Sequence, residues 1–237
     1  MQGTALIRVP CFFFENQARQ RPDPCVMNTN KQPSDRYFSK MTGGAKSPPG
    51  VNLSEIWWSW IGALLGISSL SYLHFNLCLT NTDLEMLVGS FGASAVLIYG
   101  AIKSPLAQPR NLIGGHIISA IIGVACYKLL GSGIANPFVD SDNIIGAACA
   151  IVLGTPHMWL ASSVAVATAI AAMLATKTLH PPGGATALIA VMGSERIHNL
   201  GFLYALIPVG AGALIMLIVA LLVNNIPKNR RYPDFWF

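Results

Sequence analysis

The chain has 237 residues, of which 53% are hydrophobic and only 11% charged, with a formal net charge of +5. Ordinary soluble domains are about a quarter charged, so this composition excludes a soluble core and predicts an all-α, polytopic transmembrane bundle. The surplus of Lys and Arg lies in the N-terminal arm, short loops and C-terminal end. That is where membrane proteins keep such residues, so nucleic acid is not an expected partner; the lipid bilayer is.

Residues 1–52 read as a disordered arm rich in Pro, Asn, Gln, Lys and Arg. Its excess of Arg fits an organelle presequence as well as a cytosolic tail, while Glu15, Asp23 and Asp35 count against the presequence. Lys46-Ser-Pro-Pro-Gly-Val-Asn52 marks its end, and Asn52 or Ser54 is placed to cap the next helix. Residues 53–226 form the transmembrane domain. The first span runs from about Ile56 to Leu73, with Trp57, Trp58 and Trp60 as an interfacial belt. The second, Leu84 to Ile102, is broken in the middle by Gly89-Ser-Phe-Gly-Ala-Ser94. The basic loop Lys103 to Arg110 leads into a third span, Leu112 to Leu130. Asn143 to Leu153 is apolar, but about half the length needed to cross a bilayer. It reads as re-entrant, interfacial or part of a bent span. Trp159 to Ala175 is the fourth long span, and Gly201 to Val223 the last. Residues 227–237 form a basic, then aromatic, interfacial tail.

The chain is organised around Lys177-Thr-Leu-His-Pro-Pro-Gly-Gly-Ala-Thr-Ala-Leu188. Pro181 and Pro182 suit only a helix's first turn, and His180, preceding a proline, is pushed out of the helical region. His180-Pro-Pro therefore starts a short helix inside a membrane-length apolar region. Gly92-Ala-Ser-Ala-Val-Leu-Ile98 reads against Gly184-Ala-Thr-Ala-Leu-Ile-Ala190, which makes Ser94 and Thr186 equivalent. Loop charges place both chain ends on the cytoplasm-like side, with six crossings if Asn143 to Leu153 does not cross. Three crossings per copy make the two repeats inverted, with broken helices near Gly92 and Gly183, a transporter plan that puts the binding site between the breaks.

Two helix starts aim N–H groups and partial positive charge at a shared centre, which suits a small anion. The expected binding residues are His180, Gly183, Gly184, Thr186, Gly92, Ser94, Arg110 and His116. For His116 a helix-packing hydrogen bond competes with a substrate contact, and for Arg110 an interfacial anchor does. No acidic residue is placed at either break to hold a cation. The cysteines Cys11, Cys25, Cys78, Cys126 and Cys149 form no CxxC pair, which argues against a disulfide framework and a zinc site. No GxSxG, HExxH, P-loop or dinucleotide fingerprint is present, so neither an enzyme nor a cofactor is expected.

Phe91-Gly-Ala-Ser-Ala-Val-Leu97, Ser104-Pro-Leu-Ala-Gln-Pro-Arg-Asn-Leu-Ile-Gly-Gly-His116 and Thr178-Leu-His-Pro-Pro-Gly-Gly-Ala-Thr-Ala-Leu188 together resemble the HPP family of integral membrane proteins. The ending Leu222-Val-Asn-Asn-Ile-Pro-Lys-Asn-Arg-Arg-Tyr-Pro233 resembles the eukaryotic, fungal-type branch. The resemblance covers roughly Ile56 to Tyr232. It implies a multi-pass membrane protein that transports a small anion, with nitrite among the candidates, since plant and cyanobacterial members are implicated in nitrite transport. A non-transporting membrane scaffold is the alternative. Two departures stand out: Ser90 where many bacterial members have Pro, and a longer link from Gly131 to Pro156. The choice between plasma membrane and organelle envelope stays open, as does self-association into a homo-oligomer.

Overall fold

A computed structural model of the chain describes residues 50–77, 89–131 and 158–236, which hold helices, turns and connectors and no strand. Most of the N-terminal arm, Asn143 to Leu153, and Cys11, Cys25, Cys78 and Cys149 lie outside the described residues. Gly50–Phe237 forms one compact unit.

Helix α1 spans Leu53–Leu77. Asn52, rather than Ser54, caps it: its Oδ1 accepts from the Ser54 N–H at 3.4 Å and its carbonyl from Glu55 and Ile56. Trp57, Trp60, Leu64, Leu65, Tyr72 and Phe75 face outward. An outward row of large apolar groups along a full-length helix suits acyl chains rather than water.

Helix α2 is short, Ser90–Gly100, and its last turn, Val96–Gly100, widens to π-helical geometry. A helix end leaves carbonyls without partners. Here Asn224 Nδ2 donates to the Ile98 carbonyl at 2.9 Å, while Ser59 Oγ and Arg230 Nη2 donate to the Tyr99 carbonyl at 2.7 and 2.8 Å. A loop with a 3₁₀ turn, Pro105–Ala107, then leads to α3, Pro109–Gly131, with Pro109 at its first position.

Helix α4 spans Met158–Ala175 and buries Ala161, Ala165, Ala169 and Met173 at a spacing of four. Small residues on one face let neighbouring helices approach closely, and α3 and α5 pack there. It closes with a Schellman turn: Thr178 N–H reaches the Met173 carbonyl at 2.8 Å, Lys177 N–H reaches Leu174 at 3.2 Å, and Lys177 has φ 56°. Helix α5, Pro181–Met192, starts as the His-Pro-Pro reading predicts, with His180 extended at φ −137°, ψ 105° just before it. A short helix α6, Glu195–Leu200, joins it to α7, Ala205–Asn224.

Helix α7 departs from the expected unbroken last span. It starts at Ala205 rather than Gly201, and Ile207 is extended (φ −137°, ψ 119°) ahead of Pro208. Pro208 lacks the N–H that the helix ladder needs at that position.

Among the described residues, α1, α3, α4 and α7 are long and apolar enough to cross a membrane, and α2 and α5 are shorter apolar helices. One core, with Leu70, Phe91, Tyr99, Leu112 and Met216, joins α1, α2, α3 and α7; a second, with Cys126, Ala165 and Ala187, joins α3, α4 and α5. Helices α3 and α5 contribute to both, α5 through Ala190 in the first and Ala187 in the second.

The C-terminal segment packs against the loop ahead of α3 and the start of α1. Arg230 and Tyr232 are buried, while Arg231, Phe235 and Trp236 stay exposed. Burial lowers the Arg230 pKa from its usual value, and the Glu55 carboxylate opposes that shift. Tyr232 Oη donates to the Ala107 carbonyl at 2.7 Å, and Asp234 N–H to Gln108 Oε1 at 2.9 Å. The tail thereby pins the loop ahead of α3.

A buried imidazole–hydroxyl chain between the two short helices

Ser94 on α2, His116 on α3, Thr186 on α5 and His180 ahead of α5 are all 0% exposed and meet one another. His116 stands at the centre. Its Nε2 lies 2.7 Å from Ser94 Oγ, and its Nδ1 lies 2.7 Å from Thr186 Oγ1. The equivalent residues of the two related stretches therefore clasp opposite sides of one imidazole. Ser94 Oγ also lies 3.0 Å from His180 Nε2, and Thr186 Oγ1 lies 2.9 Å from Ser90 Oγ. The two imidazole rings stand edge to face with centroids 5.0 Å apart, and Phe91 covers His116 at 5.2 Å.

The partners fix the tautomers. His180 Nδ1 lies 2.8 Å from the Leu106 carbonyl oxygen. That oxygen only accepts, so Nδ1 carries hydrogen. With the ring neutral, Nε2 accepts the Ser94 hydroxyl hydrogen. Ser94 Oγ then accepts from His116 Nε2–H. His116 Nδ1 is left bare and accepts from the Thr186 hydroxyl. One arrangement satisfies all four links of the chain, and its hydrogens all point the same way, from Thr186 to Leu106.

Glycines make this convergence possible. A Cβ on Gly115 would stand 2.5 Å from His180 Cβ and 2.8 Å from the Thr178 carbonyl. On Gly183 it would stand 2.8 Å from Ser119 Oγ and 2.9 Å from the Gly115 carbonyl. Both positions need glycine because the α3 and α5 backbones nearly touch. Gly184 is only partly buried, and Gly92 is exposed with nothing within 4 Å of a Cβ built on it.

The expected crown of free N–H groups is not there at α5. Pro181 and Pro182 carry no N–H, and Gly183 N–H donates to the His180 carbonyl at 2.8 Å. Arg110 also stands apart from the cluster. Its Nη2 donates to the Thr176 carbonyl at 2.7 Å, at the C-terminal end of α4. Beside it, Asn111 Nδ2 donates to the Leu179 carbonyl at 2.8 Å. These two side chains fix the connector that presents His180. Arg110→Gln is expected to cost about 0.5 to 1 kcal/mol, the worth of a cation at a helix C-terminus, read as a small drop in thermal midpoint of the detergent-purified protein.

Three participants were not among the expected binding residues: Ser90, the Leu106 carbonyl and Asn111. Ser90 had a signal, since it precedes Ser94 by one helical turn and the Ser94 hydroxyl lies 3.3 Å from its carbonyl. Among the described residues, no group of three His, Cys, Asp or Glu side chains could hold a metal ion.

A family model described as the HPP transmembrane region matches residues 48–233. Two transmembrane proteins of Dictyostelium discoideum are 45% and 42% identical to this chain, over 202 and 204 residues. Each alignment covers 85% of this chain, but 58% of the first relative and 64% of the second. The chain thus spans about three fifths of the length of these relatives. No solved structure is significantly similar to it.

Proposed function

Because this chain belongs to the HPP transmembrane family, and its polar side chains converge between two interrupted helices, we propose that it carries a small anion across its membrane, with nitrite the first candidate. The observation that supports this is the cluster of Ser94, His116, His180 and Thr186, all 0% exposed, where the two short helices meet α3. Polar and ionisable groups at membrane depth are costly and mark solute pathways by default. In this reading α2 and α5 are the broken helices of two inverted repeats, with six crossings in all, and the solute site opens where they face each other. His180, His116, Ser94 and Thr186 contact the solute. Gly183 allows the close approach of α5, and Arg110 shapes the site by holding the connector. No catalytic step or cofactor is assigned.

The test is uptake into liposomes holding the purified full chain, with nitrite, nitrate, formate and chloride compared. Selective uptake is expected, reduced about tenfold or more in His180→Ala, the rate equivalent of one lost buried polar interaction. Well-folded protein that moves none of the four would sink the transport reading and favour the scaffold.

A further inference from the structure

An anion buried in an apolar bundle needs a positive charge beside it, because an uncompensated buried charge is strongly unfavourable. The described residues leave few sources. Arg110 is committed to the Thr176 carbonyl. Lys103 and Lys177 are exposed. Arg230, the one buried Lys or Arg among the described residues, faces Glu55, Asn224 and the Tyr99 carbonyl. The α5 start offers no N–H from its first two residues and has used its third. Among the Lys, Arg and His side chains of the described residues, those at the helix break are a pair of imidazoles, which become cationic only by taking up a proton.

We propose that the anion crosses together with one proton, held on the Thr186–His116–Ser94–His180 chain. This rests on the transport reading and names its coupled ion. In the neutral chain every hydrogen points from Thr186 toward Leu106. A proton from water or from the incoming acid reaches Thr186 Oγ1, and the hydroxyl hydrogen passes to His116 Nδ1. His116 gives its Nε2 hydrogen to Ser94 Oγ, and Ser94 gives its own to His180 Nε2. The result is one imidazolium at His180, with hydrogen on both ring nitrogens, and a neutral His116 whose hydrogen has moved from Nε2 to Nδ1. Each intervening bond has reversed, and Thr186 now donates outward, to Ser90 Oγ at 2.9 Å or the Pro182 carbonyl at 3.3 Å. The same contacts accommodate both states. The positive charge sits beside the helix break and leaves when the proton does.

The surroundings leave the two rings to each other. From α2 the chain is faced by Ser90, whose Oγ lies 2.9 Å from Thr186 Oγ1, and by Phe91 over His116; from α3 Gly115 lies against His180. The loop supplies the Leu106 carbonyl, and Tyr204 Oη donates to the Thr186 carbonyl at 3.4 Å. Among the described residues no carboxylate or cysteine joins the imidazole pair.

The test uses the full chain in liposomes loaded with a pH dye, with the membrane potential held at zero by valinomycin and equal potassium. Protein-free liposomes give the background for permeation of the free acids. An inward nitrite or nitrate gradient is expected to acidify the lumen one proton per anion. An outside pH lower by one unit is expected to drive about tenfold anion accumulation, since one pH unit and a tenfold ratio are the same free energy. Ser94→Ala, which cuts the chain between the rings, should lose this accumulation, and Ser94→Thr, which keeps the hydroxyl, should restore it. Anion entry without acidification, and without response to the pH gradient, would overturn proton coupling and leave transport standing. No entry of any anion would overturn both. Nitrogen-15 solid-state NMR of the wild-type protein checks the chain separately. At neutral pH, hydrogen is expected on His180 Nδ1 and His116 Nε2, and hydrogen on His116 Nδ1 beside a neutral His180 would overturn the relay.

Discussion

Arg230→Met is expected to lower the stability of the purified protein by about 3 kcal/mol, the lower end for breaking a buried ion pair. The guanidinium lies 3.5 Å from Glu55 Oε2 and donates to the Tyr99 carbonyl at 2.8 Å, Asn224 Oδ1 at 3.2 Å and the Glu55 carbonyl at 3.4 Å. Removing it leaves Asn224 and two carbonyls short of a donor and a partly buried carboxylate without its cation. The loss falls at the lower end because Glu55 keeps 32% of its side chain exposed and so retains water. Arg230→Lys should recover only part, since one ammonium cannot reach the four acceptors that a planar fork reaches. Thermal unfolding in detergent reads the effect as a drop of roughly 2 to 4 °C for each kcal/mol. A midpoint equal to wild type would mean that the folded-back tail contributes nothing to stability. The consequence reaches the site. The tail holds Ala107 and Gln108 through Tyr232 and Asp234, and Leu106 between them and Ser104 holds His180.

Gly123→Val is expected to be as damaging, by overpacking rather than by loss of contacts. A Cβ at Gly123 would stand 2.6 Å from the Ala187 carbonyl, 2.6 Å from Ala190 Cβ and 2.9 Å from Ala187 Cα. Two of those atoms are backbone, so α3 and α5 themselves must separate. Overpacking of a tight core costs about 1 to 3 kcal/mol, and a rigid backbone neighbour puts this case at the upper end. His116 and Thr186 bridge the same pair of helices at 2.7 Å, so separation also stretches the imidazole–hydroxyl chain. Gly92→Ala is the matched control. Nothing lies within 4 Å of the new Cβ, and alanine is the better helix former by about 1 kcal/mol. Size-exclusion profile and thermal midpoint together check the pair. Gly123→Val with wild-type stability, or Gly92→Ala with a large loss, would contradict the packing described here.

Gly92 shows how much of the site the sequence carries. The break near it and its likeness to Gly184 were legible, but its face was not. Successive helical residues turn by about 100°, so residues two apart point to nearly opposite sides. Ser94 faces His116, and Gly92 therefore faces out. The same rule separates Gly184 from Thr186, whereas Gly183, three residues before Thr186, shares its buried face. Arg110 and Asn111 were legible as polar residues at a helix start, yet both act on the carbonyls of a connector 66 and 68 residues away.

The sequence by itself determined the helical membrane class, four of the long helices, the helix start at His180 and the family. Each follows from local chemistry: the length of apolar runs, the missing N–H of proline, and the order of motifs. The tertiary structure alone decided that Ser94 and Thr186 clasp one imidazole, that His180 rests on the Leu106 carbonyl, and that Arg230 returns to Glu55. Those contacts join residues 22, 70, 74 and 175 positions apart. No periodicity within a helix encodes them. They arise where glycines on α3 and α5 let two backbones close, and that closure is a property of the packed bundle.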